Sequence, residues 1–162
     1  MAAGLGVNMC ADLWSFALST YARPGVEAAC LRLQENGADV CLLLCGAWLE
    51  ARGVVPRAER LKALQQLARP WREQVVEPLR ELRVQWRELA QQEGQLETLR
   101  TGVKALELEA ERTLLTRLEQ LARGWPKDEA KGQYGWLEGL ATEVANLDHN
   151  ALQQLRVVVA SP

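Results

Sequence analysis

Apolar residues recur every three or four positions from Pro70 to Arg123, with one interruption at the polar run 91–94. This spacing places one apolar stripe along each of two helices. The stripes consist of Trp71, Val75, Leu79, Leu82, Trp86 and Leu89, and then of Leu96, Leu99, Val103, Leu106, Ala110, Leu114, Leu118 and Leu121. If the chain reverses at Gly94, the stripes face each other, and the sequence therefore predicts an antiparallel helical hairpin.

Three shorter helices are predicted before the hairpin. Asp12 and Asp39 are suitable N-caps for the first and the third helix. The second helix is expected between the breaks at 24–25 and 36–37, where proline, glycine and asparagine occur. The third helix, over 40–52, is apolar nearly all round, so it belongs at the centre of the fold.

Two prolines and a glycine complicate the helices that follow. A fourth helix is expected over 57–68, Pro70 is expected to begin a new helix, and Pro78 is expected to kink that helix. Gly102 lies inside the second hairpin helix at a cost of about 1 kcal/mol relative to alanine. Only close packing would account for a glycine at this position.

The chain ends in a polar, aromatic loop and a tail. The loop is expected over 124–134, and two short helices are predicted near 136–145 and 150–159. Their apolar residues should dock on the hairpin.

Leucine dominates the apolar residues, with one Phe and no Ile, which favours helices over strands. A chain of 162 residues is expected to form a single domain. Its parts are an N-terminal helical unit over 1–56, a helix and long hairpin over 57–123, and a loop and helical tail over 124–162. The predicted fold class is all-α: an N-terminal helical unit packed on a long kinked antiparallel helical hairpin, with a short helical tail.

Charge and hydropathy restrict the cellular setting. A net charge of −2 gives no global electrostatic case for nucleic acid or an anionic membrane. The first residues do not resemble a signal peptide, and the apolar run 40–49 is shorter than the roughly 20 residues of a membrane span. Four cysteines without a secretory signal indicate free thiols in a reducing compartment. We therefore expect a cytoplasmic protein that does not associate with membranes.

The sequence offers few residues for catalysis or metal binding. His149 is the single histidine, and no nucleophile, phosphate-binding or dinucleotide motif occurs. Cys41 and Cys45 lie one helical turn apart, and Cys10 and Cys30 could complete a set of metal ligands. Their apolar neighbours instead indicate small core residues. We expect no enzyme activity, no catalytic residue, no metal and no cofactor.

A row of arginines on the first hairpin helix is the main candidate site. Arg72, Arg80, Arg83 and Arg87 fall within about 80° of one another on a helix. Beside the apolar stripe, such a row can bind phosphate, an RNA backbone or an acidic protein surface. The alternative is that the arginines pair with glutamates of the second hairpin helix and fix the register of the hairpin.

Three aromatic residues around the loop form a second candidate. Trp125, Tyr134 and Trp136 concentrate near the end of the hairpin, and aromatic residues in a polar loop often mark a contact surface. They could equally fold back and cover the end of the hairpin.

The sequence also resembles a known family. The pattern runs through Leu13-Trp14-Ser15-Phe16, Tyr21, Pro24-Gly25-Val26, Asp39-Val40 and Leu42-Leu43-Leu44, and then through Trp71, Val75-Val76 and Pro78-Leu79-Arg80. It resembles an uncharacterised family of short helical proteobacterial proteins, over about residues 12–120. The resemblance implies a small all-helical cytoplasmic protein and no particular activity.

Together these features predict a non-enzymatic adaptor that binds a protein partner through the arginine row and the aromatic loop. Two alternatives remain: an RNA- or ribosome-associated factor, and a binder of an apolar small ligand in an enclosed apolar cavity of roughly a few hundred Å³ beside the 40–49 helix. A homodimer is also considered. The second hairpin helix, at roughly 40 Å, should outrun the first, and the tail or another chain must cover the excess.

Overall fold

The computed structural model describes residues 12–127, 135–142, 144 and 147–160, without the side chains of 159 and 160. These residues form helices and no strand, which confirms the all-α prediction. The α-helices are α1 (Leu13–Tyr21), α2 (Val26–Glu35), α3 (Val40–Ala51), α4 (Ala58–Trp71), α5 (Glu77–Gln85), α6 (Arg87–Ala90), α7 (Gly94–Ala122), α8 (Trp136–Leu140) and α9 (His149–Ala160), and a π-helical turn spans Arg72–Val76. None of the described helices combines the length and the apolarity that a membrane crossing requires.

The N-terminal helices begin where their caps predict. The Asp12 carboxylate accepts a hydrogen bond of 2.7 Å from the Ser15 N–H, and Asp39 accepts one of 3.1 Å from the Leu42 N–H. Each satisfies a backbone donor that the first helical turn leaves free. Every residue of α3 from 41 to 49 is buried, which confirms its predicted central position.

The first arm of the hairpin differs from the prediction at its prolines. Pro70 does not begin a helix but lies inside α4, which continues into the π-helical turn. Packing of the buried Leu64 and Ala68 and a hydrogen bond of 2.9 Å from Trp71 Nε1 to the Ala110 carbonyl hold this region against α3 and α7. These contacts outweigh the loss of one backbone hydrogen bond.

The π-helical turn lies immediately before Pro78, where a kink was predicted. In this turn the Glu77 N–H donates to the Arg72 carbonyl, five residues earlier. The wider turn leaves room for the proline ring, which would otherwise collide with the carbonyl four residues before it. The chain then reverses at 91–93, as predicted, but Gly94 is the first residue of α7 rather than part of the turn.

The predicted stripe of α7 is only partly buried. Val103, Ala110, Leu114 and Leu118 are buried as expected, whereas Leu99, Leu106 and Leu121 are exposed, and so is Leu89 on the other arm. Arg100 and Glu107 are buried instead. Val103 and Ala110 belong to both faces, so in this part of α7 the buried face is rotated by about 50° from the apolar one.

One prediction about coverage of the hairpin is wrong, and a second is confirmed only in part. Because α4 continues into α5 and α6, the first arm spans 58–90 and α7 does not outrun it. Of the tail helices, α8 packs mainly on α3 and also on α4 of the first arm, whereas α9 packs mainly on α2 and α3. The N-terminal helices α1 and α3 also pack on α7.

Candidate functional site

A cleft of about 570 Å³ lies between the N-terminal helices and the hairpin. Its walls come from α1, α2, the start of α3, the region 72–83 and the middle of α7. The apolar lining includes four side chains that are otherwise exposed on the surface: Leu18, Tyr21, Leu31 and Leu108. A volume of this size falls within the range of about 300–1,000 Å³ that is usual for ligand sites.

One wall of the cleft carries a cluster of charges centred on Glu107, which is only 6% exposed. Its carboxylate accepts a hydrogen bond of 3.2 Å from Arg80 Nε and one of 2.5 Å from Arg83 Nε. Arg80 Nη2 also lies 3.6 Å from Glu111 Oε1. Arg100 Nε donates to the Arg83 carbonyl at 2.9 Å, so the two arms are joined by polar contacts here. We call these five residues the polar seam.

Burial perturbs two carboxylates of the cleft. Desolvation raises the pKa of Glu111, and the nearby Glu107 charge raises it further, against the opposing effect of Arg80. Desolvation likewise raises the pKa of Asp39, although the Leu42 N–H and nearby arginines oppose it. The ionised form of both carboxylates is therefore less favourable than that of a carboxylate in water.

The structure brings three of the four predicted arginines to the wall of this cleft. Arg80 and Arg83 are engaged by Glu107, the pairing that the alternative interpretation predicted. Arg72 Nε is buried and lies 3.1 Å from Glu77 Oε1, with which it forms an ion pair but no well-aligned hydrogen bond. Arg87 is exposed and does not line the cleft. A partner-binding role for the row stays a prediction.

The aromatic residues of the loop lie away from the cleft. Trp136 is fully buried, and its Nε1 donates a hydrogen bond of 2.7 Å to the Val54 carbonyl. Trp125 is half-buried and stacks on Trp136 with a centroid distance of 5.9 Å. Trp136 is thus a core residue: its large apolar ring is buried, and its N–H has a hydrogen-bond acceptor inside the protein. Tyr134 lies outside the described residues.

The other chemical candidates are dispersed. Cys30, Cys41 and Cys45 are buried free thiols, and burial raises the pKa of Cys30 to about 11. Cys10 lies outside the described residues, and the described part of the chain contains no group of three side chains that could bind a metal ion. His149 is exposed at the first position of α9.

The exposed leucines that line the cleft were not predicted as site residues from the sequence. Leu31 and Leu108 lie off the buried faces of α2 and α7, and neither was considered as a site residue. The sequence did contain an indication, because a leucine outside the helical period of its neighbours cannot belong to the same apolar stripe. Its meaning depended on how α1 and α2 approach the hairpin, which no local pattern specifies.

These features define the class of the protein: an all-α protein in which a long hairpin and a short helical unit enclose a cleft with one charged wall. Over residues 12–118, from α1 to most of α7, the sequence matches the family described as Protein of unknown function (DUF2390). The match covers more than half of the chain, and the protein belongs to this family. Comparison with curated proteins and with solved structures finds no significant match.

Proposed function

We propose that this protein is a non-enzymatic cytoplasmic adaptor that binds a segment of a partner protein in the cleft. The observation that carries the proposal is the concentration of exposed apolar side chains there. Leu18, Tyr21, Leu31 and Leu108 are 36–51% exposed and line the same cleft. Apolar residues grouped in this way, rather than scattered singly, are typical of interaction sites.

The shape and charge of the cleft favour a particular kind of segment. A groove between helices suits an amphipathic helix that inserts apolar side chains from one face. Lys104 lines the cleft and makes no ion pair among the described residues. A carboxylate on the segment would supply a counter-ion for Lys104. We therefore expect an amphipathic helix with an acidic residue beside its apolar face.

Arg80 and Arg83 support the wall of the cleft in this proposal rather than contact the partner directly. Their guanidinium groups are already engaged by Glu107, so reversing their charge would disturb the hairpin itself. Trp136 is left out of the proposed surface because it is fully buried. The partner-binding predictions for Arg87 and Trp125 remain separate from the cleft.

The test uses substitutions of exposed residues, so that folding is preserved. Leu18→Glu combined with Leu108→Glu places charges in the cleft, and Val84→Glu is the matched control, since Val84 is 48% exposed and does not line the cleft. Affinity purification from the native host, with mass spectrometry, should recover a protein that the wild type and the control retain and the double variant loses.

A synthetic helix from that protein should then bind the purified wild type, with affinity reduced at least about 10-fold in the double variant, since two buried apolar contacts are lost. Isothermal titration calorimetry provides the measurement. If the double variant binds as the wild type does, or the control loses binding equally, the cleft is not the site.

The volume of the cleft specifically favours a second candidate, an apolar small ligand. At about 570 Å³ beside Val40, Cys41 and Leu44, the cleft has the volume and the place that this alternative predicted, but it opens to the surface, whereas the prediction was an enclosed cavity. Native mass spectrometry of protein from its host would then reveal an added small-molecule mass, and Leu18→Glu with Leu108→Glu should remove it. The RNA alternative gains no comparable support, because Glu107 already neutralises part of the arginine row.

A further inference from the structure

Glu111 presents a partly exposed carboxylate to the cleft. Its side chain is 29% exposed, and it lines the cleft together with the apolar side chains of Leu108, Leu114 and Leu115 on the same helix. Arg80 Nη2 lies 3.6 Å from Glu111 Oε1, which is longer than the usual distance in a charged hydrogen bond, about 2.7–2.9 Å. Water in the open cleft therefore supplies part of the solvation that keeps this carboxylate ionised.

The arginines nearest to Glu111 are engaged by another carboxylate. Arg83 Nε donates to Glu107 at 2.5 Å, and Arg80 Nε donates to the same carboxylate at 3.2 Å. Turning either guanidinium group towards Glu111 would weaken its bond to Glu107, which is only 6% exposed. Glu107 also lies one helical turn from Glu111, so its negative charge opposes a second anion there.

The other ionisable groups of the cleft do not supply the missing counter-charge. Burial raises the pKa of Tyr21, Cys30 and Cys41, so these side chains from α1, α2 and α3 are neutral at physiological pH. Arg72 of the π-helical turn is paired with Glu77 at 3.1 Å. Lys104 lies seven residues before Glu111, about two helical turns along α7, and forms no ion pair with it.

Two further carboxylates line the cleft. Glu27 of α2 is exposed, so it keeps most of its water whatever enters the cleft. Asp39 caps α3, and its Oδ1 accepts a hydrogen bond of 3.1 Å from the Leu42 N–H, which favours its ionised form. Glu111 has neither advantage, because no described backbone N–H donates to it and its remaining solvation comes from the cleft.

An occupant of the cleft would remove this water. An apolar group offers no hydrogen bond in its place, and a carboxylate that loses water without gaining a donor takes up a proton. In the free protein, burial and the charge of Glu107 already raise the pKa of Glu111, which is the same direction. We propose that docking in the cleft is coupled to uptake of one proton by Glu111, so that the site binds its occupant more tightly at lower pH. This inference rests on the proposed function in one respect, because it requires an apolar occupant in the cleft.

The sign of the coupling is fixed by linkage. At a pH below the pKa of Glu111 in the free protein, the carboxyl group is already protonated, and the affinity is highest. At higher pH, docking must draw a proton from solution, so the affinity falls until the pH exceeds the pKa in the filled cleft. Because 29% of the side chain is still exposed to lose water, we expect a total decrease in affinity of about 10-fold.

An uncharged probe separates this coupling from any charge on the partner. N-phenyl-1-naphthylamine is apolar, remains neutral at these pH values and fluoresces when it leaves water. In fluorescence titrations of the full chain, its affinity should be about 10-fold higher at about pH 5 than at about pH 8. Glu111→Gln should bind the probe equally at both pH values, because glutamine resembles the protonated carboxyl group in shape and charge. Far-UV circular dichroism at both pH values verifies folding.

Two control variants assign the proton to Glu111. Glu109→Gln removes the same charge from an exposed position of α7 outside the cleft, and Asp39→Asn removes a cleft carboxylate but retains the N-cap. Both should keep the pH dependence of the wild type. If the wild type binds the probe equally at both pH values, or if Glu111→Gln keeps the pH dependence, the proposal is overturned although the cleft remains a binding site.

Failure of the cleft itself gives a different result. If the probe does not bind at either pH, or binds equally well to Leu18→Glu/Leu108→Glu, it does not enter the cleft as the proposal requires, and the proposal is overturned on that ground. Recovery of a partner protein, which decides the proposed function, is measured independently.

Discussion

Replacing Glu107 with glutamine should destabilise the protein by about 2–3 kcal/mol, although glutamine has nearly the same shape. The carboxylate is 6% exposed and is the shared acceptor for Arg80 and Arg83. Removing its charge leaves two guanidinium groups in a partly desolvated seam without their main counter-ion. The effect is therefore electrostatic and not a loss of packing.

The magnitude follows from how far each partner is buried. Removing one member of a fully buried ion pair costs about 3–5 kcal/mol. Here the side chains of Arg80 and Arg83 are 22% and 19% exposed, so water compensates part of the loss. Glu111, 3.6 Å from Arg80, compensates another part, and the glutamine oxygen can still accept one neutral hydrogen bond. These terms reduce the expected cost to about 2–3 kcal/mol.

Urea denaturation followed by circular dichroism measures this change in the free energy of unfolding. Glu111→Gln is the matched control, since it removes the same charge from the same wall but from a more exposed residue with one long ion pair. A double-mutant cycle with Arg83→Met should give a coupling energy of at least about 1 kcal/mol for the Glu107–Arg83 pair. Equal stability of the two glutamine variants, within about 0.5 kcal/mol, would refute the central role of Glu107.

Three further predictions concern burial. Burial raises the pKa of Glu111 above its ordinary value of 4.5, so the folded state binds more protons than the unfolded state between the folded and unfolded pKa values. The free energy of unfolding of the wild type therefore falls as the pH rises through that window. In urea titrations, the stability of Glu111→Gln relative to the wild type should increase from pH 4 to pH 7, roughly. Gly46→Ala should cost about 1 kcal/mol, because its Cβ would lie 2.8 Å from Leu140 Cδ1 and 3.3 Å from Trp136 Cβ, and this crowding outweighs the gain in helix propensity. Gly102→Ala, whose Cβ would meet no atom within 4 Å, should instead stabilise by about 0.5–1 kcal/mol; thermal denaturation compares the two variants. In a Cys10→Ser variant, the three buried thiols should resist a thiol reagent at pH 8, about the pKa of a free thiol, and should react fully in denaturant. Reaction of these thiols in the native protein would contradict their burial.

The helices that the sequence predicted best depend on local chemistry. Asp12 and Asp39 cap α1 and α3 through hydrogen bonds to residues three positions ahead, so sequence alone contains both partners. Pro70 shows the limit of this reasoning. Its local preference is to begin a helix, but packing of α4 on distant helices carries the helix through it.

The hairpin was predicted in outline but not in its rotation. The period of apolar residues places Leu99 and Leu106 in the contact between the arms, whereas the structure places Arg100 and Glu107 there. Glu107 can be buried only because Arg83, 24 residues away in sequence, supplies the opposite charge. The pairing of the arginines with glutamates of the second hairpin helix was predicted as an alternative, but the period of apolar residues could not show that the pair is buried between the arms.

The unusual composition of α7 follows from its three different surroundings. A helix with a single apolar partner needs one stripe, and leucines elsewhere on it cost solubility without adding to its core. α7 instead has a buried side that closes the hairpin, a side at Leu108 that lines the cleft, and a side at Leu99 and Leu106 that is exposed. Among the described residues, only the first of these sides is covered by other parts of the chain. Leu108, which breaks the helical period, thus marks the surface at which we expect a partner segment to bind, whereas Leu99 and Leu106 follow the period and are nevertheless exposed, which made the rotation of the helix hard to predict.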